Sequence, residues 1–205
     1  MKTQSVLIAV GVIIVLLVFV FLGTQSAATP AVTIADPSIL QGLQSSTTPW
    51  IAEIDHLAER LTAIGLPQLK EEGTVLHIHQ HLDVFVDGSP VAVSPGIGIS
   101  EAGHFISPLH THDTSQVIHV ESPTAQTFTL GQFFDIWGVP FTAQTIGGYH
   151  TTNEKLLKVY VNGKEFTGDP RTLPLEAHQE IVAAYGTAKE LPNPIPASYT
   201  FPAGE

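Results

Sequence analysis

From Val75 the chain reads VLHIHQHLDVFVDG, and no other stretch restricts its fold so strongly. Leu76, Ile78, Leu82, Val84 and Val86 fall on one side, and His77, His79, His81, Asp83 and Phe85 on the other, with Gln80 the exception. Alternation with a period of two predicts a β-strand that buries one face. Asp87-Gly88 supplies two residues suited to positive φ, so the strand turns back through a tight hairpin into PVAV. One side of this strand is therefore committed to a core, and the other presents imidazoles.

Further strands follow. PLHTHDTSQVIHVES reads as two short strands around Thr114-Ser115, KLLKVYVNGKEF as a hairpin turning at Asn162-Gly163, and HQEIVAAYG as one more strand. Two helices are expected. In TPWIAEIDHLAERLTAIGLP, Thr48 caps, Pro49 takes the first helical position, and Ile51, Ile54, Leu57, Leu61 and Ile64 form an apolar stripe ended by Gly65 and Pro67. TFTLGQFFDIWGVP is a short helix capped by Thr129 and closed by Gly138, with Phe133, Phe134, Ile136 and Trp137 in the core. Tyr149, Tyr160 and Tyr185 are read as packing residues. The fold class is α+β, mostly antiparallel β (a sandwich, a small barrel or β-grasp-like), with a preceding amphipathic helix and an N-terminal transmembrane helix.

That last element rests on Val6 to Gly23, an uncharged apolar run long enough to cross most of a bilayer core of about 30 Å. It exceeds the apolar part of a typical signal peptide, although Ser26-Ala27-Ala28 offers a cleavage site. Lys2 precedes the run, so the N-terminus is expected in the cytoplasm and the rest of the chain outside. The expected organisation is an anchor at residues 1–23, a flexible linker at 24–48, an extracytoplasmic domain at 49–186 and a proline-rich tail at 187–205. The tail and linker suit a domain reaching an extracytoplasmic protein partner near the membrane, or act as solubilising spacers.

Composition narrows the chemistry. Among 205 residues there are 8 Lys and Arg against 19 Asp and Glu, a net charge of −11, which argues against nucleic acid as a partner. The chain has no cysteine, which excludes disulfides, thiolate catalysis, cysteine-bound zinc and blue copper. Chemistry must run on ten histidines, carboxylates and hydroxyls.

Six of those histidines fall in two clusters, His77, His79 and His81, then His110, His112 and His119. Residues i and i+2 on a strand lie about 6.6 Å apart on one face, and i and i+4 about 13 Å. Two neighbours of HIHQH can close on one ion, so the third must turn to another role. If Thr114-Ser115 is a two-residue loop, His110 pairs with His119, and the three histidines of the second cluster converge, with Asp113 and Glu121 nearby. A slip of one residue would send His119 to the other face. His104, His150 and His178 are weaker candidate ligands, and His56 is a packing or surface residue. Imidazole sets suit Zn(II) or Cu(II). His110-x-His112 shares its spacing with the cupin motif, but the acid due a few residues later is absent.

The blocks HIHQHLDVFVDG, IGI, PLHTHDTSQVIHVESP, FTLGQFFDIWG, VYVNGK and LEAHQEI together resemble a group of uncharacterised, single-span extracytoplasmic proteins of bacteria and archaea. The resemblance covers about Gly73 to Gly186. It implies one domain and carries no substrate or mechanism. Three functions fit the sequence. The first is a membrane-anchored binder of a transition metal, Cu(II) or Zn(II), for acquisition, buffering or delivery. The second is a cell-surface metalloenzyme, hydrolytic or redox, in which Asp113, Glu121 or Asp83 serves as general base. The third is an interaction module whose histidines respond to pH.

Overall fold

A computed structural model describes residues 39–204. The expected anchor, and the linker up to residue 38, lie outside the described residues. Among the described residues no helix is long and apolar enough to cross a membrane.

A short helix, α1 (Leu57–Ala63), precedes the first long strand, β1 (Leu76–Val86). Asp87 (φ 49°) and Gly88 (φ 80°) turn β1 into β2 (Ser89–Val91), as the Asp-Gly pair predicts. The glycine-rich stretch makes a small hairpin of β3 (Ile99–Ser100) and β4 (Phe105–Ile106), and β5 (Leu109–His110) and β6 (Val117–Ser122) follow. After α2 (Leu130–Trp137) comes a three-stranded meander of β7 (Phe141–Thr142), β8 (Thr145–Ile146) and β9 (Tyr149–His150). The chain closes with the hairpin β10 (Leu156–Val161) and β11 (Lys164–Glu165), turning at Asn162-Gly163, and with β12 (Gln179–Gly186).

Among the described residues the architecture is α+β with mostly antiparallel strands and two α-helices. Seven strands form one sheet in the order β11-β10-β12-β1-β6-β5, with β2 also paired to β1. Every pairing in it is antiparallel except the central one, where β1 and β12 run parallel. A parallel pair needs a long crossover, and here the whole of β2 through β11 supplies it.

The pleat divides this sheet by chemistry. Leu82, Val84, Ile118, Val120, Leu109, Ile181 and Ala183 face the core, where they meet α2 through Leu130, Phe133, Phe134, Ile136 and Trp137, all fully buried. Thr129 caps α2 in a reciprocal box with Gln132, and Gly138 ends it at φ 75°. A buried ion pair, Arg171 to both carboxylate oxygens of Asp135 at 3.0 and 2.7 Å, ties α2 to the segment before β12. Tyr185 is buried, and Tyr149 packs on the core.

The first expected helix is shorter than its stripe suggests. Leu57 and Leu61 are buried on α1, but Ile51 and Ile54 are exposed and residues 49–54 are not helical. Pro49 brings no N–H, and the Gln44 side chain captures both the N–H and the carbonyl of Ile51 at 2.8 and 2.9 Å. Trp50 is thereby sunk into the core against Gly147, whose position leaves no room for a Cβ.

The packed body also reaches beyond residues 49–186. Leu40 is buried in the core, and the proline-rich tail, though it forms no regular element, lies on the second face of the sheet. Ala197 sits against Gly163, the Tyr199 ring stacks on His81 at 3.9 Å, and Phe201 packs on His178 at 4.9 Å. This stretch is a cover over part of the sheet and not a free spacer.

Candidate metal centre

The histidine face is the side of the sheet opposite α2. His77 and His79 leave β1 on this face, and in the antiparallel ladder with β6 they stand opposite Glu121 and His119. His110 on β5 stands opposite His119 on its other side, the register expected from a Thr114-Ser115 loop. Three adjacent strands therefore place His79, His119 and His110 in one row across the sheet. His112, just past β5, folds over it, with its ring 4.5 Å from that of His119 and 4.7 Å from that of His110.

The donor atoms gather into groups. Those of His110, His112, His119 and Glu121 all lie within 4.8 Å of one another, and so do those of His77, His79 and Glu121. His110 Nε2 and His112 Nε2 are 3.1 Å apart, and Glu121 Oε1 is 3.3 Å from both His119 Nδ1 and His77 Nε2. Ligands at about 2.0–2.1 Å from a tetrahedral ion are separated by about 3.3–3.4 Å. The His110–His112, His119–Glu121 and His77–Glu121 pairs thus stand close to coordination spacing.

Protonation favours the same role. His110 donates its Nδ1–H to the Ser107 carbonyl at 3.0 Å, which leaves the Nε2 lone pair facing the site. Burial, reinforced by the neighbouring imidazoles, lowers His79 and His110 to about 4 and His119 to about 3. These rings are neutral at neutral pH, as a metal requires. Burial, and then the nearby Glu72 carboxylate, push Glu121 up to about 7. Glu121 Oε2 is buried with no hydrogen-bond partner, a costly condition that a bound cation would relieve. The floor of the site, His79, His110, His119 and Glu121, is buried, whereas His77, His112 and Glu72 form an exposed rim.

His81 goes elsewhere, as the spacing argument requires of one member of HIHQH. The parallel register sets it opposite Glu180 on β12, and its Nδ1 lies 2.8 Å from Glu180 Oε2. With Asp83 these two make a third candidate group, flanked by Tyr199. Asp113 joins none of the groups among the described residues. It accepts the Ser115 N–H at 2.8 Å and shapes the turn. His104 and His150 are exposed and outside the groups, while the His178 N–H donates to the His79 carbonyl at 2.7 Å. His56 is a surface residue paired with Glu53.

Sequence reasoning passed over Glu180, Glu72 and Tyr199. A lone acid inside the apolar run QEIVAAYG is a signal that could have flagged Glu180. Glu72 and Tyr199 sit in irregular segments and give no such sign. No family model, no curated protein and no solved structure matches this chain.

Proposed function

We propose that this chain is a membrane-tethered, extracytoplasmic protein that binds a transition-metal ion on its histidine face, for acquisition, buffering or delivery to a protein partner outside the cytoplasm. One observation carries the reading: three imidazoles and a carboxylate, from β5, β6 and the segment between them, stand within 4.8 Å of one another, with the buried His110 and His119 rings neutral and one carboxylate oxygen unpartnered. The tether rests on the apolar run Val6 to Gly23. The sheet order, hairpin, helix, hairpin and a last strand parallel to the first, supports the β-grasp-like form of the fold. A donor set of imidazoles and a carboxylate without thiolate suits Zn(II) or Cu(II).

A surface metalloenzyme is the second reading. It is favoured by the His77, His79 and Glu121 set, which offers three donors beside an exposed rim and so leaves a coordination position for water or substrate.

The test is the melting temperature of the full-length chain, purified in detergent without a histidine tag, in EDTA and in excess Zn(II). An ion that binds only the folded state raises stability by about 2.7 kcal/mol at a hundred times its Kd. H110A/H112A should show a smaller increase than the unaltered chain. No increase in the unaltered chain with either Zn(II) or Cu(II) overturns the proposal.

A further inference from the structure

The two sets of donors on the histidine face have one member in common, Glu121. We propose that the face holds two transition-metal ions joined through Glu121, one taken by His110, His112 and His119 and the other by His77 and His79. This rests on the metal-binding reading above and adds to it a number, two, and a bridge.

The argument begins with capacity. Two ligands of a single ion lie at most about 4.2 Å apart, twice the metal–nitrogen bond. Five imidazoles and a carboxylate also outnumber the four positions of a tetrahedral ion. A single ion would therefore leave His77 and His79 idle, although their rings are held 4.9 Å apart and His79 is buried against His119 at 4.6 Å. Burying an imidazole that binds nothing is unfavourable unless its nitrogens find partners.

The position of Glu121 supplies the link. It follows His119 by two residues, so it shares that face of β6, and the ladder sets it directly opposite His77. It stands between the two sets and touches both at 3.3 Å through Oε1, while Oε2 has no hydrogen-bond partner. A carboxylate with oxygens to spare between two groups of nitrogens is the arrangement that holds paired ions about 3.5–4 Å apart in two-metal sites. Glu72, with Oε1 3.5 Å from His112 Nε2, adds a second negative charge against the combined charge of two dications. The His81, Asp83 and Glu180 group shares none of these donors and stands apart.

The experiment counts Zn(II) per chain by elemental analysis after equilibration in a metal buffer, for the untagged full-length protein and for three variants: H77Q/H79Q, H110Q/H112Q and the quadruple. Each double variant is expected to lose one ion and the quadruple two. These differences hold whether or not the His81 group binds an ion of its own. If the quadruple loses only one, a single ion is shared and the paired centre is overturned, while the metal-binding reading stands. If the unaltered chain binds none, that reading falls as well. E121Q keeps the side-chain shape and guards against loss of fold in the histidine variants. Chelator competition should show both ions weakened at least about tenfold in E121Q. Weakening of only one ion would overturn the bridge.

Discussion

The buried imidazoles make a prediction about the metal-free protein that needs no ligand at all. His110 is fully buried and titrates near 4 in the folded chain, against an ordinary value of 6.5. Between those values the unfolded chain binds a proton that the folded chain refuses, so stability is intact above pH 6.5 and falls as pH drops toward 4. Moving from pH 7.5 to 5.0 should cost about 2 kcal/mol from His110 alone. His79 and His119 act in the same direction, since both are lowered by burial and by the rings around them. Glu121 and Glu180 oppose them, because burial raises both and their stabilising contribution grows as pH falls. The groups facing His110 are His112, His119, His79, His77 and Glu121, so the cleanest readout is a difference. Urea unfolding in EDTA, followed by the fluorescence of the buried Trp50 and Trp137, should show H110Q losing about 2 kcal/mol less than the unaltered chain over this interval. Equal losses in the two proteins would refute the claim that His110 is held neutral.

Three further outcomes follow from the same geometry. D113A should leave Zn(II) affinity unchanged in chelator competition, because Asp113 spends its carboxylate on the Ser115 turn; a large loss would place it in the site. D135A strands the buried Arg171 guanidinium and should destabilise the fold by about 3–5 kcal/mol in urea unfolding. Y199A removes the ring stacked on His81 and should cost about 1 kcal/mol by the same assay, with the proline-rich tail becoming open to limited proteolysis.

What could be read from the sequence was local. The period-two pattern of β1, the Asp-Gly and Asn-Gly turns, and the capping of α2 by Thr129 and Gly138 are decided by neighbours in the chain, and the structure agrees with them. The expected register of His110 on His119 is present, although residues 111–116 connect the two strands in place of a two-residue loop, with the Thr111 backbone bonded to Gly96 and Ile97. The parallel pairing of β1 with β12 was not legible, since no turn joins them, and with it went Glu180 as the neighbour of His81. The first helix failed for a related reason. Its stripe at Ile51 and Ile54 is real, but Gln44 and the burial of Trp50 outweigh a local periodicity. The tail shows the same limit: proline forbids regular structure without forbidding packing, and no local pattern announces the contacts of Tyr199 and Phe201.

The central claim is that imidazoles from β5, β6 and the segment between them meet around a cation. A crystal of the chain grown with Zn(II), with diffraction recorded on both sides of the zinc absorption edge, tests it directly. An anomalous peak is expected about 2.0–2.2 Å from His110 Nε2, His112 Nε2, an imidazole nitrogen of His119 and a Glu121 oxygen. Zinc bound elsewhere on the protein, with no peak among these four side chains, would contradict the account.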